Sequence, residues 1–271
     1  MSNPAESYES YMVPALFGPW AERLVESVRP KPQDRVLDLA CGTGVVARLV
    51  ASRLGPATKV VGVDLNPKML EVAWAAAERE GLAIEFREGR AESLPFPDGS
   101  FDLVLCQFAL MFMDDRARAL REMHRLLGAG GRLGLSVWQG IGRHPFYATL
   151  DEVIHRRLGM SALSSIFALG DEAELRALLG DAGFVHVEIE SVSITARFPN
   201  PEGFLAGEID LDTAAIPSMQ HLDDAERGAI SDAISQEMQA PLREVTQGDH
   251  VVIPFHARIA RAERLATSRT P

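Results

Sequence analysis

An α/β fold built on a mostly parallel sheet is what this sequence predicts, and three observations predict it. Short apolar runs alternate with amphipathic stretches from Arg35 to Trp138. The first run ends in a glycine turn that opens the next helix. Acids stand at the ends of the first two runs. With 271 residues and 46% hydrophobic content, the chain can build one large α/β domain or a domain with a modest cap.

The organising stretch is Arg35 to Asp64, RVLDLACGTGVVARLVASRLGPATKVVGVD. Val36, Leu37, Leu39 and Ala40 make the apolar run of a strand buried on both faces of a parallel sheet. Gly42 and Gly44 allow a sharp turn and a close approach of backbone to ligand. Val45 to Leu54 carries the stripe Val46, Leu49, Val50 and Leu54 and stops at Gly55-Pro56. Lys59 to Val63 is the second strand, and Asp64 at its end is placed to accept hydrogen bonds from a ribose diol. Gly42-Thr43-Gly44-Val45-Val46-Ala47 also fits a loose dinucleotide fingerprint, so an NAD(P)-dependent oxidoreductase is an alternative. Asp38 weighs against it, because a carboxylate near the first strand's end repels a pyrophosphate. S-adenosylmethionine has a ribose, an adenine, a sulfonium and an α-amino group, and no phosphate. Asp38 toward the amino end and Asp64 toward the ribose suit that cation.

The remaining elements follow from the same signals. Tyr8 to Val28 reads as a helix with Tyr11, Leu16, Trp20, Leu24 and Val28 on one face, interrupted by Pro14 and Pro19, and set to fold over the cofactor mouth. Asn66 and Pro67 open a helix to about Arg79, and Ala83 to Glu88 is strand three. Phe101 to Cys106 is strand four, with Gln107 to Met113 just past its carboxyl end, where ligands bind in open α/β sheets. Asp114 is expected to cap a helix through Leu127, with Gly128 as its left-handed stop, before a fifth strand from Arg132 to Trp138.

The segments VLDLACGTG, VVGVDLNPKMLEVA, AESLPFPDGSFDLV and LREMHRLLGAGGRL, in this order and spacing, resemble the class I S-adenosylmethionine-dependent methyltransferases. The closest flavour is the ubiquinone/menaquinone-biosynthesis group and its small-molecule relatives. The match is strong over about Pro32 to Trp138 and weak elsewhere. It implies a Rossmann-like sheet of seven strands, mostly parallel, with the last strand antiparallel and helical cap insertions. It also implies S-adenosylmethionine as cofactor, with S-adenosylhomocysteine as product. Carried over by motif, Asp38, Ala40, Gly42 and Gly44 line the methionine side and Asp64 holds the ribose. Leu65 and Met69 flank the adenine, Ala91 meets its edge, and Gln107 and Phe108 lie beneath the reacting end. Arg90 departs from the pattern, standing where the family has an acid, so Glu92 is expected to take over that contact.

In the second half, Phe146 to Leu158 forms a helical stripe ending at Gly159. Asp171 and Glu174 cap a helix to about Ala182, and Asp223 with Glu226 reads as a second capping box. Val185, Val187 and Ile189 alternate, then the phase slips to Val192, Ile194, Ala196 and Phe198, which predicts a bulge near Glu190-Ser191. Asp249 to Phe255 is the last strand, expected to be short or distorted by Pro254, and Arg258 to Arg269 a frayed basic tail. The organisation is therefore a lid over 1–30, a cofactor core over 31–138 completed by 171–198 and 249–264, cap insertions at 139–170 and 199–248, and a tail over 265–271.

Those insertions and the N-terminal helix are expected to roof the methyl donor. Tyr8, Phe17, Trp138, Phe146, Phe167 and Phe204 are candidates for an apolar acceptor pocket. His144, His250 and Tyr11 are candidates for acid–base or orienting work on the acceptor. Between Asn200 and Gln247 ten acids face only Arg227 and Arg243, a solvated helix face or a lid that disfavours anions. The net charge of −11 argues against a nucleic-acid partner. No stretch is apolar enough to span a membrane, the N-terminus has no signal-peptide pattern, and two cysteines without metal spacing suit a reducing cytoplasm. The expected activity is methyl transfer to O, N or C of a small, neutral, moderately apolar molecule such as a quinone or phenol. A protein that binds the cofactor without catalysis is a further alternative, and a homodimer is compatible with all three readings.

Overall fold

The structure is a computed structural model that describes residues 4–214, 219 and 221–266. The described chain divides into two compact units, the first made of 4–137, 171–192 and 257–266, the second of 138–170 and 193–256.

The N-terminal segment is helical throughout. Helix α1, Pro4–Ser7, passes into a π-helix, Tyr8–Phe17, and then into α2, Gly18–Val28. Pro14 removes a donor inside this run, and the Gly18 N–H reaches back to Val13 O, five residues away, as a π-turn requires. Helix α2 buries Trp20, Ala21, Leu24, Val25 and Val28, the face its spacing prescribes.

The remaining helices are α3 (Val45–Leu54), α4 (Pro67–Arg79), α5 (Arg116–Leu126), α6 (Pro145–Leu158), α7 (Glu172–Asp181), α8 (Pro201–Ala214) and α9 (Asp224–Val245). The strands are β1 (Arg35–Leu39), β2 (Lys59–Asp64), β3 (Ile84–Glu88), β4 (Phe101–Gln107), β5 (Leu127–Trp138), β6 (Val185–Pro199), the two-residue β7 (Thr246–Gln247) and β8 (His250–Glu263). They order as β3-β2-β1-β4-β5-β8-β6, with β7 paired to β8. β3, β2, β1, β4 and β5 run parallel to one another. β8 returns antiparallel to β5, since Gly130 N–H bonds Arg264 O, Arg264 N–H bonds Gly131 O, and Gln139 N–H bonds His256 O. The expected seven strands are therefore present, with a short eighth. Strand order reverses direction between β1 and β4, so a crevice opens at their carboxyl ends.

Four local expectations are corrected. Asp115, not Asp114, caps α5 by accepting from Arg118 N at 2.8 Å, while Asp114 pairs with Arg90. Leu127 is already extended and opens β5, so Gly128 is no helix stop; the left-handed glycine of this turn is Gly130. No bulge interrupts β6. His186–Glu263, Glu188–Arg261, Ser191–Arg258, Ser193–His256 and Asn200–Asp249 pair across β6 and β8 in one unbroken antiparallel register, one residue for one residue. The apolar phase slips because the covered face of the strand changes where the chain passes from the first unit to the second, not because the backbone bulges.

The last strand is also longer than expected: β8 takes in much of the segment read as a frayed tail and runs to Glu263. Residues 267–271 lie outside the described part. Pro254 is tolerated for a geometric reason. His256 turns its C=O toward Gln139 on the β5 side, and alternate residues of an antiparallel strand face the same way. The Pro254 nitrogen therefore faces a level at which β5, ending at Trp138, has already stopped.

Candidate functional site

Within the first unit, the β1 tip is held by its own backbone and by one acid. Cys41 N–H bonds Val63 O at 2.9 Å, Gly44 N–H bonds Cys41 O at 2.8 Å, and Gly42 N–H bonds Asp64 Oδ2 at 2.8 Å. The other Asp64 oxygen accepts from Asn66 N at 2.8 Å, and Asn66 in turn caps α4 through Lys68 N. Asp64 thus ties the glycine loop to the start of the next helix. Ala40, Gly42 and Gly44 all adopt positive φ. The two glycines serve different ends. A Cβ on Gly44 would strike the Phe86 ring at 2.9 Å, so that glycine is needed for helix–strand packing. A Cβ on Gly42 would meet nothing within 4 Å, so that glycine borders free space.

Asp38 lies beneath the loop, 1% exposed, and accepts from Ala47 N at 2.9 Å. Burial pushes its carboxyl up to about 7; the Ala47 bond offsets only part of this, and the charge of Asp64 adds to it. No cation is among the groups acting on it. The adjacent thiols are inert: burial raises Cys41 and pushes Cys106 up to about 12.

At the β4 tip, Gln107 donates from Nε2 to Phe17 O at 3.1 Å, and its buried Oε1 has no donor. Phe108 is held at positive φ, with its N–H on Ser136 O at 3.0 Å and its ring against Trp20 and Phe17. A strained residue past each of two adjacent parallel strands, Ala40 and Phe108, marks this crevice as a built site. Ser136 Oγ and Thr43 Oγ1 are buried without partners.

The N-terminal π-helix carries Tyr8 to this crevice. Tyr8 stacks on Phe17 at 5.0 Å, and its phenol is raised by burial and then by the charges of Asp64, Glu9 and Asp38. Arg48, largely buried on α3, donates to Glu9 Oε1 at 2.6 Å and to Glu80 at the end of α4. This latch was invisible in the sequence because its residues are far apart and show no periodic pattern. Tyr11 is half-buried on the same π-helix.

At the other end of the crevice, Leu65 is exposed directly after Asp64, and Met69 is half-buried on α4. Ala91 and Glu92 are half-buried in the loop after β3. Arg90 bonds Asp114 Oδ2 at 2.6 Å and comes within 3.7 Å of Glu92. Its charge is thus spent on two carboxylates.

The second unit holds the other candidates. His144 is fully buried, and its Nε2 accepts the His256 N–H at 3.0 Å, a donor left over on the β5 side where β5 has ended. Burial holds the ring down to about 4. The lone pair wanted of a general base is spent on backbone, so the structure gives His144 a packing task, with Phe167 at 4.7 Å and Trp138 at 6.2 Å. His250 forms a half-exposed pair with Asp249 at 2.5 Å. Trp138, Phe146, Phe167 and Phe204 are all buried in this unit, with Phe146 and Phe204 at 5.8 Å. Glu208, read in the sequence as part of a solvated acidic run, is buried instead. The lone serine in the apolar strand RLGLSVW was a usable signal for Ser136; nothing comparable pointed to Glu208.

Comparisons with known proteins identify the family. Residues 37–135 match the family model of the methyltransferase domain. The ubiquinone/menaquinone biosynthesis C-methyltransferase of Stenotrophomonas maltophilia is 35% identical over 182 residues, covering 61% of this chain and 71% of that protein. This chain belongs to the class I S-adenosylmethionine-dependent methyltransferases. A demethylmenaquinone methyltransferase of Thermus thermophilus is 44% identical over 114 residues, 42% of this chain and about half (51%) of that protein. Among solved structures, a methyltransferase from Bacillus halodurans superposes with a TM-score of 0.61 at 23% identity, over 90% of this chain and 98% of that one. A phosphoethanolamine N-methyltransferase of Haemonchus contortus, solved with S-adenosylhomocysteine, gives 0.57 at 20% identity, over 91% and 52%. Both likenesses concern the fold.

The cofactor of this methyltransferase is S-adenosylmethionine, and its activity is methyl transfer to a small molecule. The residues present fit that cofactor. A buried carboxylate with no cation of its own, an orphaned amide oxygen at Gln107 and an unobstructed side of Gly42 suit a positively charged nucleoside. None of these features favours a dinucleotide. Among the described residues no cluster of His, Cys, Asp and Glu could hold a metal, and no helix is long and apolar enough to cross a membrane.

Proposed function

We propose that this protein methylates an uncharged, moderately apolar acceptor of the phenol or quinol kind, and that ring carbon is the first atom to test. The names of its relatives, C-methyltransferases of ubiquinone and menaquinone biosynthesis and a demethylmenaquinone methyltransferase, support that choice of acceptor. The observation that carries the cofactor half of the reading is Asp38, a carboxyl withdrawn from water with no cation of the described residues among the groups acting on it.

S-adenosylmethionine supplies an electrophilic methyl group on a sulfonium, with a neutral thioether as leaving group. The chain's own part is to bind, orient and exclude water, and positioning alone contributes about 7–11 kcal/mol in well-oriented reactions. In this assignment Asp38 and the Gln107 amide oxygen neutralise and receive the cationic end, and Asp64 exchanges its bonds to Gly42 and Asn66 for the ribose diol. Ala40, Gly42 and Gly44 give the backbone its close approach, Leu65 and Met69 sandwich the adenine, and Ala91 and Glu92 meet its edge. Phe108 floors the reacting end. Segment 1–30 is the lid, with Tyr8 and Phe17 on its inner face, latched through Glu9 to Arg48. Residues 31–138, 171–198 and 249–264 are the cofactor core, and 139–170 with 199–248 bind the acceptor. The reading also implies a cytoplasmic setting in which both thiols stay reduced. His250 and Tyr11 are the remaining candidates for handling an acceptor proton.

Isothermal titration of the full chain with S-adenosylhomocysteine and, separately, with NAD tests the cofactor site. Binding of the first and not the second is expected; the reverse would end the assignment. Radiolabelled methyl transfer into naphthoquinol and phenol acceptors then tests the chemistry, and a protein that binds the cofactor while labelling no acceptor is a binder only.

A further inference from the structure

The sheet ends in two edges of unequal length. β3, at one end of the strand order, has 5 residues, and β6, at the other, has 15. A long edge strand presents a row of N–H and C=O groups ready to pair with another chain, and proteins usually cut such edges short or cover them.

The register with β8 shows which groups of β6 face outward. Asn200 donates its N–H to Asp249 O at 3.1 Å, and alternate residues of an antiparallel strand face the same way. Even-numbered residues of β6 therefore bond β8, and odd-numbered residues turn their N–H and C=O to the open side. Val187 obeys this parity, because its carbonyl is held by the Arg176 guanidinium of α7, at 2.6 Å, and not by β8. Both ends of the edge are thereby closed, Val187 by Arg176 and Pro199 by having no N–H. Between them lie Ile189, Ser191, Ser193, Thr195 and Arg197. Ile189 is half-buried and the other four are exposed, and among the described residues nothing bonds their outward backbone groups.

We propose that this window pairs with the same window of a second copy of the chain, antiparallel about a two-fold axis at Ser193, so that one sheet runs through a homodimer. A two-fold axis makes identical strands antiparallel and the contact self-complementary. With the axis at Ser193, Ile189 lies opposite Arg197, Ser191 opposite Thr195, and Ser193 opposite itself. Each copy donates from those five residues, so about ten bonds form, the number a standard interface carries. The next pair outward is Val187 with Pro199, so the bond that proline cannot donate is one that the Val187 carbonyl does not need. Shifting the axis by one residue sets Arg197 opposite the occupied Val187 carbonyl, or Ile189 opposite Pro199, and bonds are lost. The side chains suit the same register. Ser191 meets Thr195, Val192 meets Ile194 and Glu190 meets Ala196, so no like charges stand opposite each other. The pairing uses neither cofactor nor acceptor and is independent of the reaction.

Sedimentation velocity of the full chain at micromolar concentrations is expected to show a species of twice the 29.6 kDa chain mass. Thr195→Pro removes an outward N–H that β8 does not use, a place where an edge strand tolerates proline. The variant should keep its melting curve while dimerisation weakens by at least about tenfold. Ser193→Lys and Ser193→Glu each set like charges against each other at the axis, so each alone should be monomeric, and the two mixed should form a heterodimer. That rescue separates pairing at Ser193 from any other contact between copies. If a Ser193 variant does not fold without its bond to His256, Thr195→Pro decides. A wild type that stays monomeric overturns the proposal, and so does one that captures only an extended peptide on this edge. A dimer left intact by folded Thr195→Pro or by either folded charge variant overturns it too, as does a Lys–Glu mixture that stays monomeric.

Discussion

The two units each withdraw a carboxyl from water, and they compensate it differently. Asp38, at the end of a parallel strand, receives a backbone N–H from the first turn of α3 and lies near a second acid. Glu208, on a helix stripe, receives a phenol and is surrounded by aromatic rings. Both are raised to about 7 by burial, yet their settings differ. A carboxylate paired with another acid and fixed by backbone calls for a cation. The contrast shows that one displacement from ordinary behaviour can arise in two different settings, which the neighbours distinguish.

The comparison can be broken most forcefully at Asp64, the acid that accompanies Asp38. Asp64→Ala removes the proposed ribose partner and two backbone supports at Gly42 and Asn66. An affinity loss of about 10- to 100-fold for S-adenosylhomocysteine is expected by calorimetry, the scale of hydrogen bonds to a charged group. Unchanged affinity removes the ribose role.

The next largest effect is on pH. If Asp38 answers a cation, cofactor affinity should rise from pH 6 to pH 8, by up to about tenfold per unit below its carboxyl's titration point. Asp38→Asn should flatten that profile, and a wild-type affinity independent of pH over this range sinks the electrostatic account. Stability should move the other way. Both carboxyls bind protons more tightly folded than unfolded, so their contribution is complete below the ordinary carboxylate range and is lost as pH rises through about 7. The cofactor-free protein should therefore melt lower at pH 8 than at pH 5 from these two groups. Saturating cofactor should cancel the share of Asp38 and leave that of Glu208, whereas Glu208→Leu should cancel the other; melting curves of the two variants at both pH values separate them.

Smaller again is the latch. Glu9→Ala strips Arg48 of one of its two acids, with Glu80 remaining, so a cost of about 1–2 kcal/mol is expected, less than for a fully orphaned buried charge. Amide exchange should quicken in 8–17 and not in β1, and the cofactor should leave faster. Uniform exchange across both regions would show that Glu9 supports the whole unit and not the lid. The smallest effect belongs to Arg90→Asp. Its exposed pair with Asp114 is worth at most about 1 kcal/mol, so cofactor affinity should hold or improve slightly. A large loss would reveal an adenine contact by Arg90 itself.

Most of the first unit was legible because its signals are local. The strand-loop-helix-strand from Arg35 to Asp64, with its Gly55 stop, and the Asn66 cap need only a few consecutive residues to declare themselves. Near-local signals failed by small steps, as when two adjacent acids, Asp114 and Asp115, competed for one cap and the second won. The slipped apolar phase of β6 was read correctly and explained wrongly, since a change of covering layer and a bulge leave the same pattern in a sequence.

What the sequence determined by itself is the parallel sheet, the glycine loop and the two strand-end acids, because period and turn chemistry are written in neighbouring residues. Only the tertiary structure decided that Tyr8 is carried to Asp64 by a π-helix, that Arg48 joins Glu9 to Glu80, that His144 serves a backbone donor near the end of β5, and that Glu208 is inside. Those outcomes depend on which side chains meet across tens of residues, and burial of a charge is settled by what covers it, which no local pattern records.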